Sequence, residues 1–155
     1  MAKKRVVKTY RDTSASGDRS PITGHRYFLR VDLVSMKAEE KLDITGKTTE
    51  FYIKCGGKGA FKMANRCPNL GTINLERNEV FKPTDGLTIF SGFYEKKGGG
   101  TVELPFEIYD QDLGKDDKLV DTVLSITLGQ SREYLAFNEK GVKVKIALSA
   151  NRTRY

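Results

Sequence analysis

The sequence predicts an all-β fold, an antiparallel β-sandwich or small barrel of about eight strands, preceded by a basic, flexible N-terminal arm. Short segments rich in Val, Ile, Phe and Tyr recur along the chain, and Gly-rich or polar turns separate them. No segment combines the length and the 3.6-residue periodicity of a long helix. The chain has 155 residues, of which 38% are hydrophobic. That is enough for one core and too little for two independent ones.

The first predicted strand covers residues 26–34, because its apolar side chains alternate on one face: Tyr27, Leu29, Val31 and Leu33. Residues 36–42 are compatible with one helical turn. A second strand is predicted at residues 51–55, and residues 58–70 are predicted to form a loop, since Pro68, Asn69 and Gly71 are turn formers.

The rest of the body continues the β pattern. Further strands are predicted at residues 72–75, 79–81, 87–94, 101–109, 119–128 and 142–148. Residues 95–100 form a Gly-rich hairpin loop in this prediction, residues 110–118 form an acidic loop, and residues 132–137 fit either a short helix or a strand.

The strand at residues 101–109 has the clearest alternation. Its inward side chains are expected to be Val102, Leu104, Phe106 and Ile108. Pro105 then falls on the outward face, and its missing N–H predicts a sheet edge or a bulge.

The net charge of +7 lies mainly at the ends of the chain. Residues 1–20 carry +4 and the last five residues carry +2, so the segment between them is close to neutral. We therefore divide the chain into a basic arm at 1–23, one sandwich domain at 24–150 and a short basic tail at 151–155. A basic arm favours an anionic partner, such as nucleic acid, a membrane surface or an acidic protein patch; a merely solubilising tail is the alternative. The candidate anion-binding residues of the arm are Lys3, Lys4, Arg5, Lys8 and Arg11.

Catalysis finds little support in the sequence. His25 is the one histidine, so a nucleophile–base pair built on histidine has no second partner, and we expect no enzyme activity. Cys55 and Cys67 match no zinc pattern and are expected to be free buried thiols, with a bridge between neighbouring strands as the alternative. No signal peptide or transmembrane stretch is recognisable, which predicts a cytoplasmic protein that can lie peripherally at a membrane.

The acidic loop is the most informative segment. Asp110 and Asp112 are two residues apart where a strand ends, and Asp116 and Asp117 return to the same loop. Converging carboxylates repel one another unless a cation neutralises them, and hard oxygen donors suit Ca²⁺. An EF-hand is excluded because Lys115 stands where that loop requires Gly, and because a strand rather than a helix precedes it.

These segments resemble the C2 domain, a calcium- and phospholipid-binding β-sandwich. Residues 106–120 are similar to the last metal loop of the family, where paired aspartates precede a further aspartate and a hydrophobic strand. Residues 43–54 are similar to its first metal loop, with Glu50 and Phe51 in the place of Asp and Pro. Residues 71–81 are similar to the strand that leads to the Trp-Asn-Glu motif, with Arg77 replacing the Trp.

The resemblance implies an eight-stranded C2-like sandwich and a calcium site. Asp110 and Asp112 would be the central ligands, Asp43, Glu50 and Asp116 would complete the shell, and Asp117 is the alternate. Three lysines would hold lipid phosphates: Lys54, Lys58 and Lys62.

The function expected from this resemblance is a non-enzymatic module that binds anionic phospholipid membranes or a protein partner, with or without Ca²⁺. The alternative is a structural, self-assembling subunit of a capsid, coat or filament. Its basic arm would then contact nucleic acid or a neighbouring subunit in a homo-oligomer.

Overall fold

Eleven strands make up the regular structure of the computed structural model, which describes residues 5–8, 25–39, 48–112 and 114–153. The strands are β1 Arg5–Lys8, β2 Arg26–Ala38, β3 Thr48–Lys58, β4 Phe61–Cys67, β5 Ile73–Glu76, β6 Val80–Phe81, β7 Leu87–Glu95, β8 Thr101–Asp110, β9 Asp117–Thr127, β10 Glu133–Glu139 and β11 Val142–Arg152.

The strands form two sheets. The first has the order β1-β9-β8-β3-β4, with β5 also paired to β3, and the second has the order β10-β11-β2-β6, with β7 also paired to β2. Every pairing is antiparallel except that of β1 with β9. The predicted antiparallel sandwich is confirmed. The strand count exceeds eight because β1, β4 and β10, which lie at the ends of the two sheets, add to the eight predicted strands.

The register of the strands defines two ends of the sandwich. At the apical end β8 finishes at Asp110, which pairs with Phe51 of β3 and with Asp117 of β9. At the basal end β2 begins at Arg26 and β11 finishes at Arg152. The short 96–100 connection from β7 to β8 lies at this basal end, so both sheets share the same two ends.

The core lies between the sheets and is filled by alternate side chains from each. Val102, Leu104, Phe106 and Ile108 are buried as predicted. Asp110 follows them on the same alternation and is also buried, at 4% exposure. The apolar stripe of β8 therefore ends in a carboxylate at the apical mouth of the core.

Two predicted irregular segments are strands in the structure. The predicted loop at 58–70 contains β4, whose residues 62–65 are all exposed and show no alternation of burial. Both faces of β4 are exposed over these residues, so the alternation that marks a half-buried strand is absent. The predicted helical turn at 36–42 is wrong over its first residues, since Met36 and Lys37 pair with both β11 and β6. Residues 40–42 lie outside the described residues. Residues 132–137, which fit either a short helix or a strand in the sequence, lie mostly in strand β10.

Pro105 lies in a local edge of the first sheet, as its missing N–H predicts. The pairing of β8 with β3 covers residues 106–110, so at Pro105 the partner of β8 is β9. Its side chain is nevertheless buried rather than outward and open. Cys55 and Cys67 are free and buried, as expected, and burial raises the pKa of the Cys55 thiol.

Candidate metal-binding site

Three aspartates lie close together at the apical end of the sandwich. Asp110 closes β8, Asp112 lies in the loop, and Asp117 opens β9. One carboxylate oxygen of each lies within 4.8 Å of the others. The loop is joined to β3 by a hydrogen bond in which the Gln111 N–H donates to the Glu50 carbonyl at 2.8 Å.

The donor set fits a hard divalent cation. Calcium binds oxygen at about 2.3–2.6 Å, so two ligands on opposite sides of one ion are separated by roughly 5 Å. Oxygens that lie within 4.8 Å of one another can therefore share a single ion. Asp110 is buried while Asp112 and Asp117 are exposed, so the cluster has an inner wall and an open side.

Asp116 is engaged in holding the loop. The Tyr52 hydroxyl donates to its Oδ2 at 2.5 Å, and the Asp112 N–H donates to its Oδ1 at 3.1 Å. These bonds favour the charged carboxylate and lower the pKa of Asp116 below its ordinary value, with the Tyr52 bond as the largest cause. Among the described residues, Asp117 rather than Asp116 shares the carboxylate cluster with Asp110 and Asp112.

Glu50 and Asp43 are the two remaining predicted ligands. Glu50 is half-buried near the start of β3, beside Asn74 of β5, and its carboxylate lies outside the cluster of three. Asp43 lies outside the described residues. The assignment of all six acidic residues as metal ligands stays a prediction.

A row of rings and cations covers the outer face of the first sheet next to the acidic loop. The Tyr52 and Tyr109 rings stack with centroids 5.0 Å apart and an interplanar angle of 6°. The Arg66 guanidinium lies 4.3 Å above the Tyr52 ring, and the Lys118 ammonium lies 5.7 Å from the Tyr109 ring. Burial and the bond to Asp116 raise the pKa of Tyr52 to about 12. We call Tyr52, Lys54, Arg66, Tyr109 and Lys118 the aromatic–cation row.

Of this row, only Lys54 is a candidate site residue predicted from the sequence. Its ammonium lies 5.4 Å from the Tyr109 ring, and cross-strand pairing places it between Arg66 and Glu107. Arg66 is not predicted to join the row, because the sequence predicts a loop over residues 58–70, where β4 lies. With β4 as a strand, the pairing of Lys54 with Arg66 follows from the β3–β4 hairpin.

The other predicted anion-binding residues are spread over the molecule. Lys58 and Lys62 are exposed at the β3–β4 hairpin, on the basal side of Lys54. Arg5 and Lys8 are the first and last residues of β1, which pairs in parallel with β9. Three further arm residues lie outside the described residues: Lys3, Lys4 and Arg11. Binding of anions by any of these residues stays a prediction.

This chain resembles known proteins in its fold and not in its sequence. No protein-family model matches the sequence, and no curated protein matches it. Among solved structures, human GIVD cytosolic phospholipase A2 in complex with methyl gamma-linolenyl fluorophosphonate and terbium chloride aligns with a TM-score of 0.57 and 15% identity. The alignment covers 84% of this chain and 18% of the phospholipase chain, so the chain spans under a fifth of that protein.

Two smaller structures match over nearly their whole length. The C2A domain of plant Extended Synaptotagmin 1 aligns with a TM-score of 0.52 and 16% identity, over 88% of this chain and all of that domain. A C2 domain protein from Ramazzottius varieornatus aligns with a TM-score of 0.53 and 12% identity, over 86% and 93% of the two chains.

The described residues thus form a two-sheet antiparallel β-sandwich with carboxylates at one end. Within that class the fold is C2-like, as the resemblance of the acidic loop and its neighbours predicts. No helix among the described residues has the length and apolar character needed to span a membrane.

Proposed function

We propose that the protein is a non-enzymatic C2-like module that docks peripherally on anionic phospholipid membranes with its apical end, in a calcium-dependent manner. The observation that carries the proposal is the cluster of Asp110, Asp112 and Asp117, whose carboxylate oxygens lie within 4.8 Å of one another at the mouth of a C2-like sandwich.

The three aspartates would hold the ion, with the buried Asp110 as the inner ligand. When bound, Ca²⁺ would supply positive charge and open coordination positions for headgroup phosphates. Asp116, held by Tyr52 and by the Asp112 backbone, keeps the loop in the shape that presents the other three carboxylates.

The aromatic–cation row supports the same docking mode. Lys54 and Arg66 place two cations next to the acidic loop. The Arg66 guanidinium donates to the Pro68 carbonyl and lies 3.5 Å from the Gln111 side chain, which belongs to that loop. Cations near an anionic membrane surface each contribute about 1 kcal/mol to binding. The row therefore adds attraction for headgroups beside the metal site.

Liposome co-sedimentation tests the proposal. Wild-type protein is expected to pellet with phosphatidylserine-containing vesicles in Ca²⁺ and to stay in the supernatant in EDTA. The Asp110→Asn, Asp112→Asn double variant is expected to lose most of the calcium-dependent fraction, because an amide removes the charged ligand oxygen at both central positions.

The matched control is Asp85→Asn, an aspartate-to-asparagine change at an exposed residue outside the cluster. Asp85 has a φ of 60°, a conformation that asparagine accepts readily. This control should bind like wild type. Equal pelleting in Ca²⁺ and EDTA, unchanged in the double variant, would overturn calcium-dependent docking.

A further inference from the structure

The basal end contains a cavity of about 270 Å³ on the side of the molecule opposite the carboxylate cluster. It is lined by His25, Tyr27, Gly98, Gly99 and Arg152. Liquid water occupies about 30 Å³ per molecule, so the cavity has room for a small solute together with several waters. None of the described residues that line it is acidic.

Two cationic side chains lie at or beside this cavity: Arg152 lines it, and Lys96 lies next to the glycine loop that lines it. The Arg152 guanidinium, at the end of β11, lies 3.5 Å from Nδ1 of His25, just before β2. Lys96 follows β7, and its backbone N–H donates to the His25 carbonyl at 3.0 Å. The Lys96 ammonium lies against the next turn, 3.3 Å from the position that a Cβ on Gly100 would take.

The glycine loop gives the cavity a backbone wall. Gly98, Gly99 and Gly100 have φ values of 87°, 69° and 104°, a conformation that glycine adopts without strain. Gly98 and Gly99 line the cavity without side chains, and backbone N–H groups in turns can bind anions. The Gly100 carbonyl is engaged elsewhere, since it accepts a hydrogen bond from the Leu128 N–H at 2.8 Å. The Tyr27 hydroxyl is close by, 3.7 Å from where a Gly99 Cβ would stand.

We infer that this basal cavity binds a phosphate-type oxyanion, held by Arg152, Lys96 and the peptide groups of the Gly98–Gly100 loop. Guanidinium and ammonium groups form the strongest hydrogen bonds with phosphate oxygens, and the Arg fork matches their geometry. His25 positions the guanidinium, and Tyr27 adds a hydroxyl. The site lies at the opposite end of the sandwich from the proposed calcium site and does not depend on it.

The test is an NMR titration of the full chain with inorganic phosphate, against sodium chloride at the same ionic strength. Amide signals of Gly98, Gly99 and Gly100 are expected to shift with phosphate and to saturate. The Lys96→Gln, Arg152→Gln double variant is expected to bind about tenfold more weakly or worse, since each lost cation removes a charge-assisted contact. Tyr27→Phe, which keeps the buried ring, is expected to weaken binding about twofold.

The control is Arg77→Gln, an exposed arginine in the β5–β6 turn, away from the basal cavity, which should bind phosphate like wild type. Shifts that chloride reproduces, that fail to saturate, or that persist unchanged in the Lys96→Gln, Arg152→Gln variant would overturn the inference. The Asp110→Asn, Asp112→Asn variant should titrate normally, so a failure of the calcium proposal and a failure of this site give different results.

Vesicles identify the source of the phosphate group. In EDTA, where calcium-dependent docking is absent, a small residual pelleted fraction with anionic phospholipid vesicles that wild type shows and the Lys96→Gln, Arg152→Gln variant lacks would assign a lipid headgroup. Saturable binding of inorganic phosphate, with identical pelleting of the two proteins, would assign a soluble phosphate compound.

Discussion

Two buried aspartates, one in each sheet, have opposite surroundings. Asp32 of β2 is 2% exposed and lies 2.9 Å from the Arg30 Nε and 3.5 Å from an Arg132 nitrogen, and the Thr88 hydroxyl also donates to it. Asp110 of β8 is 4% exposed and shares its surroundings with two further aspartates.

The difference separates a structural carboxylate from a candidate ligand. The cost of burying a charge is offset when the chain supplies cations, as it does for Asp32, and the group then stabilises the fold. Carboxylates that the fold brings together repel one another, and an external cation relieves that repulsion. Neutralising substitutions should therefore have opposite effects on stability in the two places.

The largest effect is expected for Asp32→Asn. The substitution removes the charge that Arg30 and Arg132 share and weakens the bond from Thr88. The two arginine side chains are about half exposed and can be resolvated, so we expect a loss of about 2 kcal/mol rather than the larger cost of a fully buried pair. Urea unfolding followed by circular dichroism measures it.

Asp85→Asn serves as the reference for that measurement, because Asp85 is exposed and should change stability by less than about 0.5 kcal/mol. If Asp32→Asn and Asp85→Asn had the same urea midpoint, the Asp32 network would not stabilise the fold.

A smaller effect of opposite sign is expected at the apical end. In EDTA and low salt, Asp112→Asn and Asp117→Asn should each raise the free energy of unfolding by up to about 0.5 kcal/mol, because each removes a charge that repels its neighbours. Salt screens this repulsion, so the gain should shrink at about 1 M salt. Urea midpoints at the two salt concentrations test it. A loss of stability in both variants at low salt would show that the cluster is not a site of repulsion.

Alternation was sufficient to predict the fold where strands are half-buried. Leu104, Phe106 and Ile108 face the core as expected, because β8 has the core on one side and solvent on the other. It failed for β4, where residues 62–65 are all exposed and the strand pattern is absent from the sequence. The length of β2 was also underestimated, since its last residues are held by pairing with β6 and β11, which are distant in sequence.

The sequence predicts which acidic residues lie at the candidate site better than it predicts how they are arranged there. The spacing of Asp110 and Asp112 within the loop is local and can be read from the sequence. The division between Asp116 and Asp117 depends on Tyr52, which is 64 residues away from Asp116 and reaches it only because β3 and β8 are neighbours. The pairing of Asp32 with Arg132 is likewise a tertiary contact with no local signal.

The last expected effect is a pH dependence, and it concerns how the loop is held. Tyr52→Phe removes the hydroxyl that donates to Asp116, and its cost near neutral pH should be below that of Asp32→Asn. The pKa of Asp116 is lowered from its ordinary value of 3.8, so the stability from this bond is present above that pH and is lost as the pH falls through the lower pKa of the folded state. The pKa of Tyr52 is raised from 10.0 to about 12, so its contribution is present below pH 10 and is lost as the pH rises toward 12.

The advantage of wild type over Tyr52→Phe should therefore be greatest near neutral pH and decline toward both extremes, as urea midpoints across the pH range would show. A double-mutant cycle isolates the bond, because in an Asp116→Asn background Tyr52→Phe should no longer change the acid-side profile. If the acid-side loss of stability were identical in wild type and Tyr52→Phe, the loop would be held by other contacts. Asp116 would then be available to join the three carboxylates of the cluster as a fourth. The cluster would differ still more from Asp32, whose charge is balanced by arginines of the same chain.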